Sequence, residues 1–483
     1  MQFPVILRIL GLFLMTFSLT MVPPIVVSLI YRDGTWPPFT IALAFTLILG
    51  FLIWRPTRSY VRELRVRDGF LVVVLFWSVL GLVGAVPLAL SNSPQINFTD
   101  ALFESLSGLT TTGATVLIGL DELPKSIQFY RQQLQWFGGM GIIVLAVAIM
   151  PMLGVGGMQL YRAETPGPIK DNKLTPRITE TAKALWYIYL GLTLSCAAAY
   201  WLAGMSLFDA ICHSFSTVAI GGFSTHDASL GYFDNNLIYL VAILFMFLSG
   251  VNFSLHFLSF RSKRLAIYIS DPEFRTYALL LGSATLFVSA ALYLTKTHSG
   301  LDTAFIQGMF HVVSLGTTTG FTTDTFYAWP GLLPVLLLFT SFAGGCAGST
   351  GGGIKIIRVL LLLKQGLREI NHLIHPNAAL SLKIGNKSLP ESVMNSVWGF
   401  FAAYIMVFGV IMFMLLATGV DQVTAFSAVA ACLNNLGPGL GEVSSHYGEL
   451  NNASKWLLSI AMLFGRLEIF TILVLLSPNF WRR

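Results

Sequence analysis

Along the chain, long apolar runs alternate with short polar clusters. Runs long enough to cross a bilayer, at about 20 residues each, fall near 5–30, 37–54, 70–91, 131–157, 184–205, 236–258, 276–295, 329–361, 394–419 and 453–476. They predict about ten transmembrane helices. Four shorter apolar stretches, near 99–110, 206–218, 302–316 and 422–433, are too short to span. They suit half-helices that enter a membrane and return on the same side. Each runs into a glycine-bearing turn: Thr110-Thr111-Thr112-Gly113-Ala114, Ala219-Ile220-Gly221-Gly222-Phe223, Thr317-Thr318-Thr319-Gly320-Phe321 and Asn434-Asn435-Leu436-Gly437-Pro438. The aligned glycines are 109, 98 and 117 residues apart, and a recurring period marks a repeated architecture.

The pattern predicts an all-α polytopic membrane protein. Residues 1–68 supply two extra N-terminal helices and a cytoplasmic loop. Four pseudo-repeats follow at 69–160, 161–265, 266–375 and 376–483, each reading span, pore half-helix, turn, span around one central pore. Non-helical backbone survives at membrane depth only where protein or a water-filled path satisfies it. Four turns meeting at one axis would give rings of carbonyl oxygens, the usual material of a cation filter. Glycine permits the positive φ that lets successive carbonyls point one way, and threonine adds an oxygen without bulk. The partially negative C-terminus of each half-helix faces the turn and favours a cation.

Composition agrees. The chain is 55% hydrophobic and 11% charged, against about 25% charged in soluble domains. Its net charge of +6 does not point to nucleic acid, because the basic residues report topology. Of 29 Lys and Arg residues, 23 fall on one set of connections, with both termini, and place that side in the cytoplasm. The opposite side carries carboxylates at Asp100, Glu104, Asp121, Asp209, Asp227, Asp324 and Asp421 among others, a negative mouth that would concentrate cations. The four cysteines lack close paired spacing and the eight histidines lack metal-ligand spacing. No clustered catalytic set is present, so an enzyme is not expected, nor a cofactor.

Two further features carry chemistry. Phe342-Ala343-Gly344-Gly345-Cys346-Ala347-Gly348-Ser349-Thr350-Gly351-Gly352-Gly353-Ile354-Lys355 interrupts a run too long for one straight crossing. It fails the phosphate-loop pattern and reads as a flexible intramembrane loop, or alternatively as a helix-packing seam or kink. Arg466 lies within an apolar span, where a charge must face protein or water. It is either a positive charge beside a pore or a structural carbonyl cap or ion pair. For Asn252 an interhelical hydrogen bond is the plainer reading.

Phe103-Glu104-Ser105-Leu106-Ser107-Gly108-Leu109-Thr110-Thr111-Thr112-Gly113-Ala114, Trp136-Phe137-Gly138-Gly139-Met140-Gly141 and Leu463-Phe464-Gly465-Arg466-Leu467-Glu468 resemble the Trk/Ktr/HKT superfamily of potassium transporters, over essentially the whole chain. The two extra spans and the length resemble its TrkH/TrkG branch. The resemblance implies potassium uptake, with K+ as the transported ion at Thr111, Thr112, Gly113, Ile220, Gly221, Gly222, Thr318, Thr319, Gly320, Asn435, Leu436 and Gly437. It also implies a gate at Gly344, Gly345, Gly348, Gly351, Gly352, Gly353, Lys355 and Arg466, with Asn252 at the same constriction. A homodimer in the bacterial inner membrane, regulated by a cytosolic nucleotide-binding ring of the TrkA type, completes the expectation. The competing readings are an ion-coupled transporter of another small solute, or a less selective K+/Na+ transporter. The fourth turn departs from the threonine-rich pattern, which leaves its individual ligands open.

Overall fold

The computed structural model describes residues 1–60, 64–139, 141, 178–377, 381–384 and 387–482. Among the described residues, six helices are long and apolar enough to cross a membrane: Phe3–Tyr31, Trp36–Thr57, Arg67–Ala89, Lys183–Leu202, Pro272–Leu294 and Val393–Ala417. Two bent pairs raise the total to eight if each is one span. Asn236–Ser249 meets Phe253–Ser262 at 94°, and Asn452–Arg466 meets Phe470–Leu476 at 113°. The run at 329–361 divides into helices Leu333–Ala343 and Ile356–Ile374 around the glycine-rich loop. Of the run at 131–157, helix Lys125–Gly139 is described, and residues 142–157 lie outside the described residues. A two-residue hairpin, Lys383–Ile384 against Lys387–Ser388, interrupts the helical plan.

The half-helices are Phe98–Leu109, Leu207–Val218, Leu301–Gly316 and Gln422–Leu433. Three begin at polar caps whose side chains accept first-turn N–H groups: Asn97 from Asp100, Ser206 from Asp209, and Asp421 from Val423 and Thr424. A carboxylate in the first turn also complements the positive N-terminal dipole. Several acidic residues assigned to a negative mouth are therefore spent on starting helices. Lys455 neutralises Asp100 at 2.6 Å.

The packing closes a circle. Each repeat's first span lies against its own half-helix. Each second span touches its own half-helix and that of the next repeat: Lys125–Gly139 bridges the first and second, Asn236–Ser249 the second and third. Leu333–Ala343 bridges the third and fourth, and Asn452–Arg466 returns from the fourth to the first. The N-terminal helices sit outside this ring, where Gly11 and Gly50 let their backbones approach closely. A Cβ on Gly11 would lie 2.7 Å from the Gly50 carbonyl, the small-residue seam by which membrane helices associate. All four cysteines are buried and unpaired.

Candidate functional site: a ring of four turns over a glycine loop

All four half-helices end alike. The N–H groups of Thr111, Ile220, Thr318 and Asn435 bond to the carbonyls of Gly108, Thr217, Leu315 and Cys432. The next residues, Thr112, Gly221, Thr319 and Leu436, bond back to Ser107, Ser216, Ser314 and Ala431. This is a Schellman cap, which places a left-handed residue just past the helix and normally puts glycine there. Here φ is +55° at Thr111, +55° at Ile220, +70° at Thr318 and +55° at Asn435. Left-handed backbone costs an L-residue about 1–2 kcal/mol, and three of these residues are β-branched, where such values are true outliers. Strain repeated at four equivalent positions marks a functional backbone.

Two residues on, Gly113, Gly222, Gly320 and Gly437 again have positive φ, from +77° to +98°. Each abuts the next repeat. A Cβ would meet the Gly221 carbonyl oxygen 2.1 Å from Gly113, the Thr319 oxygen 2.0 Å from Gly222 and the Leu436 oxygen 2.0 Å from Gly320. From Gly437 it would meet the Thr112 oxygen at 2.7 Å. The turns therefore form a closed ring in chain order, with the carbonyl just before each glycine turned toward its neighbour. Among the described residues, nothing donates a hydrogen bond to the carbonyls of Thr112, Thr319 or Leu436. The Gly221 carbonyl accepts from Gln135 Nε2 at 2.5 Å.

The hydroxyls are engaged with protein. Thr112 Oγ1 pairs with Thr110 Oγ1 at 2.8 Å and accepts from Asn435 Nδ2 at 2.9 Å. Thr319 Oγ1 pairs with Thr317 Oγ1 at 2.7 Å. Thr318 Oγ1 accepts from Gly352 N–H at 2.7 Å. Asn434, bonded by Tyr404 at 2.6 Å and to Ser341 at 3.0 Å, fixes the fourth turn. The bracing roles of three residues, Gln135, Arg131 and Glu104, were not read from the sequence. Gln135 holds the second turn from both sides, also accepting from Phe223 N–H at 3.1 Å. Arg131 Nε donates to Glu104 Oε1 at 2.7 Å while its Nη1 reaches the Ser224 carbonyl at 3.1 Å. Glu104 is 1% exposed, so it belongs to this buried pair and not to an acidic mouth.

The glycine loop lies against the ring. Gly353 N–H donates to the Asn434 carbonyl at 3.0 Å and Thr350 Oγ1 to the Val218 carbonyl at 3.0 Å. Gly351 approaches Thr317 and Gly352 approaches Asn434 so closely that a Cβ would lie 2.9 Å and 1.9 Å from their carbonyl oxygens. Gly344 and Gly353 similarly crowd Gly352 and Ser341, while Gly344, Gly348 and Gly353 have positive φ. Cys346 N–H ties the loop to Gly250 at 2.8 Å, beside the bend of the second repeat. At Gly345 a Cβ would meet Ser349 Oγ at 2.6 Å. Lys355 Nζ folds back onto the Gly351 carbonyl.

Arg466 joins loop to ring. Its guanidinium donates to Thr111 Oγ1 at 3.3 Å, to the Thr350 carbonyl at 3.4 Å, and to the carbonyls of Gly138 and Gly139. It also lies 5.3 Å from the Trp77 ring centre. Glu468 points away and pairs with Arg358. Among the described residues the Asn252 side chain acts as a helix cap and not as an interhelical bond: its Oδ1 accepts from Ser254 N–H at 2.8 Å at the start of Phe253–Ser262. Its amide also stands against Gly348, where a Cβ would meet Oδ1 at 3.0 Å.

Fold and ring together define a multi-pass membrane protein with four pseudo-repeats around one axis. A family model for the TrkH cation transport proteins matches residues 36–483. The chain is 60% identical to the Trk system potassium uptake protein TrkH of Vibrio parahaemolyticus and 57% identical to that of Escherichia coli, each over the full length of both chains. Identity to the Trk system potassium uptake protein TrkG of Escherichia coli is 43%, over 99% of this chain and 98% of that one. The crystal structure of the potassium transporter TrkH from Vibrio parahaemolyticus superposes with a TM-score of 0.92 at 56% identity, covering both chains completely. The chain belongs to the TrkH family of cation transport proteins.

Proposed function

We propose that this chain takes up potassium through a pathway along the axis of its four turns, with the carbonyls of those turns as the selectivity filter. The observation that carries the reading is the closed ring of glycines and carbonyls, in which the Thr112, Thr319 and Leu436 oxygens have no donor among the described residues. A buried carbonyl left unpaired costs about 1–3 kcal/mol, and a partly dehydrated cation repays that cost. The threonine hydroxyls, bonded to one another and to the loop, hold the backbone in register beside the ion. Residues 343–353 act as the gate, clasped by Arg466 against the first turn.

Potassium as the ion is supported by glycine at all four positions and by the potassium uptake named for the relatives. The same proposal includes an inner-membrane location with both termini cytoplasmic, supported by the placement of 23 of 29 basic residues. It also includes a homodimer controlled by a cytosolic nucleotide-binding ring of the TrkA type. Bi-ionic reversal potentials of the purified chain in a planar bilayer test the function. The expected potential lies near that of potassium; one that follows sodium or chloride equally well overturns it. Repeating the measurement across a proton gradient separates passive from proton-coupled flow.

A further inference from the structure

The position nine residues before each ring glycine is occupied by Glu104, His213, His311 and Ala428. In three repeats that side chain reaches the strand leaving the turn. Glu104 Oε2 accepts from Val116 N–H at 3.0 Å, and its carboxylate takes the Thr115 hydroxyl at 3.0 Å. His213 Nε2 meets Ser224 Oγ at 2.9 Å and His311 Nε2 meets Thr323 N–H at 3.5 Å. The two histidines share one tautomer. Each directs Nδ1 at the carbonyl four residues earlier, Asp209 at 2.9 Å and Gln307 at 3.0 Å. A carbonyl can only accept, so Nδ1 carries the proton and Nε2 presents a lone pair. At 428 the fourth repeat has no polar side chain, and its neighbour Ser427 substitutes by accepting from Leu440 N–H at 2.8 Å.

We propose that Glu104, His213, His311 and Ser427 are positioning residues for ion selectivity, each presenting a buried acceptor that clamps the exit strand of its own turn. The Schellman bonds fix each turn on the entry side, at Thr112, Gly221, Thr319 and Leu436. The acceptors fix it on the exit side, at Val116, Ser224, Thr323 and Leu440. Between the two anchors lie the glycine and the carbonyls before it, which the interior clamps leave no slack to rotate. Both imidazoles are fully buried. Phe233 and Phe321 lie 5.4 and 6.0 Å from the His213 ring, and Trp329 lies 4.7 Å from the His311 ring. Arg131 couples the first clamp to the second by bridging Glu104 and the Ser224 carbonyl.

The inference rests on the filter reading above, and the experiment separates the two. Potassium-to-sodium permeability ratios are taken from reversal potentials of the full chain in bilayers. His213→Leu and His311→Leu remove the acceptor and are expected to lower the ratio about tenfold, the worth of one lost hydrogen bond. His213→Gln and His311→Gln, which can still present an oxygen, recover most of it. Should the leucine variants fail to fold, Ser224→Ala and Ser427→Ala carry the test by deleting one oxygen each, with the same loss expected. Folded alanine or leucine variants that select like the parent overturn the proposal, as do glutamine variants no better than leucine. Gly113→Ser is measured alongside: if it alone lowers the ratio, only the clamps fall. If no variant does, the filter reading falls and takes the clamps with it.

Discussion

Replacing the ring glycines by alanine one at a time gives a graded test, because the four sites are chemically alike and sterically unequal. The added Cβ would lie 2.1, 2.0 and 2.0 Å from the neighbouring carbonyl oxygen at Gly113, Gly222 and Gly320, but 2.7 Å away at Gly437. Real Cβ atoms essentially never approach closer than 3.0 Å. The oxygen must therefore retreat by at least 0.9–1.0 Å at the first three sites and 0.3 Å at the fourth, the differences from that limit. Every site also carries the left-handed cost of about 1–2 kcal/mol, which is common to all four and cancels in the ranking. A binding geometry loses its preorganisation once its groups move by more than ~0.5 Å. Alanine at 113, 222 or 320 should cut the potassium-to-sodium ratio by about tenfold or more, equivalent to ~1.4 kcal/mol. Gly437→Ala should retain most of it. Reversal potentials of folded, monodisperse protein give the ratios. Equal losses at all four sites, or the largest loss at Gly437, would refute the steric reasoning.

Three other outcomes are expected. Arg466→Ala removes a fixed positive charge beside the proposed path and should raise rubidium uptake roughly three- to tenfold, with Arg466→Lys between; a folded alanine variant with unchanged or lower uptake rules out a charge barrier. Deleting residues 347–351 should raise basal flux from potassium-loaded vesicles, whereas flux no faster than the parent's makes the loop a packing element. His226 lies against Asp121 and 3.6 Å from Asp209; burial opposes its protonation but the carboxylates prevail and raise its pKa above 6.5. A raised histidine stabilises the fold fully below its unfolded value and loses that contribution as pH climbs through the folded one. Melting temperature should therefore fall as pH rises above about 6.5, His226→Gln should flatten the slope, and parallel slopes would contradict the assignment.

The half-helices were legible because local chemistry delimits them. A stretch of 12 to 16 residues opens at a polar cap or glycine and closes at a glycine turn, and each predicted limit falls within a residue of the observed one. The glycine loop was legible for the same reason. The bends at Gly250–Asn252 and Leu467–Ile469 were not, since the apolar runs resume after the polar residues in both and hydropathy registers depth, not direction. The second bend turns on left-handed Glu468 and Ile469, with φ of +52° and +51°, residue types that announce nothing. The polar supports were hidden differently. Glu104 read as a carboxylate of the outer mouth, because its partnership with Arg131 spans 27 positions and a pattern of charge holds no information about who pairs with whom. Gln135 acts across 86 residues, between one repeat and the next.

Building the ring from one chain lets equivalent positions diverge where symmetry would be costly. Gly138 and Gly465 are structural counterparts: a Cβ on either would lie 1.9 or 2.2 Å from the carbonyl ending its own half-helix, at Leu109 and Leu433. The residue that follows is Gly139 in the first repeat and Arg466 in the fourth. The lone arginine donates to the backbone at that very first-repeat position, to Gly138 and Gly139. Four identical subunits would place four guanidinium groups around one axis. At a few ångströms and an effective dielectric near 20, each like-charged pair would repel by about 4 kcal/mol. They would also set side chains beside the glycine carbonyls that accept from the single arginine. The same reasoning applies to the loop, which touches Val218, Thr318 and Asn434 from three different repeats and meets the first turn through Arg466. Fourfold geometry makes the ring of carbonyls, and the proposed gate rests on the two departures from it, at Arg466 and at residues 343–353.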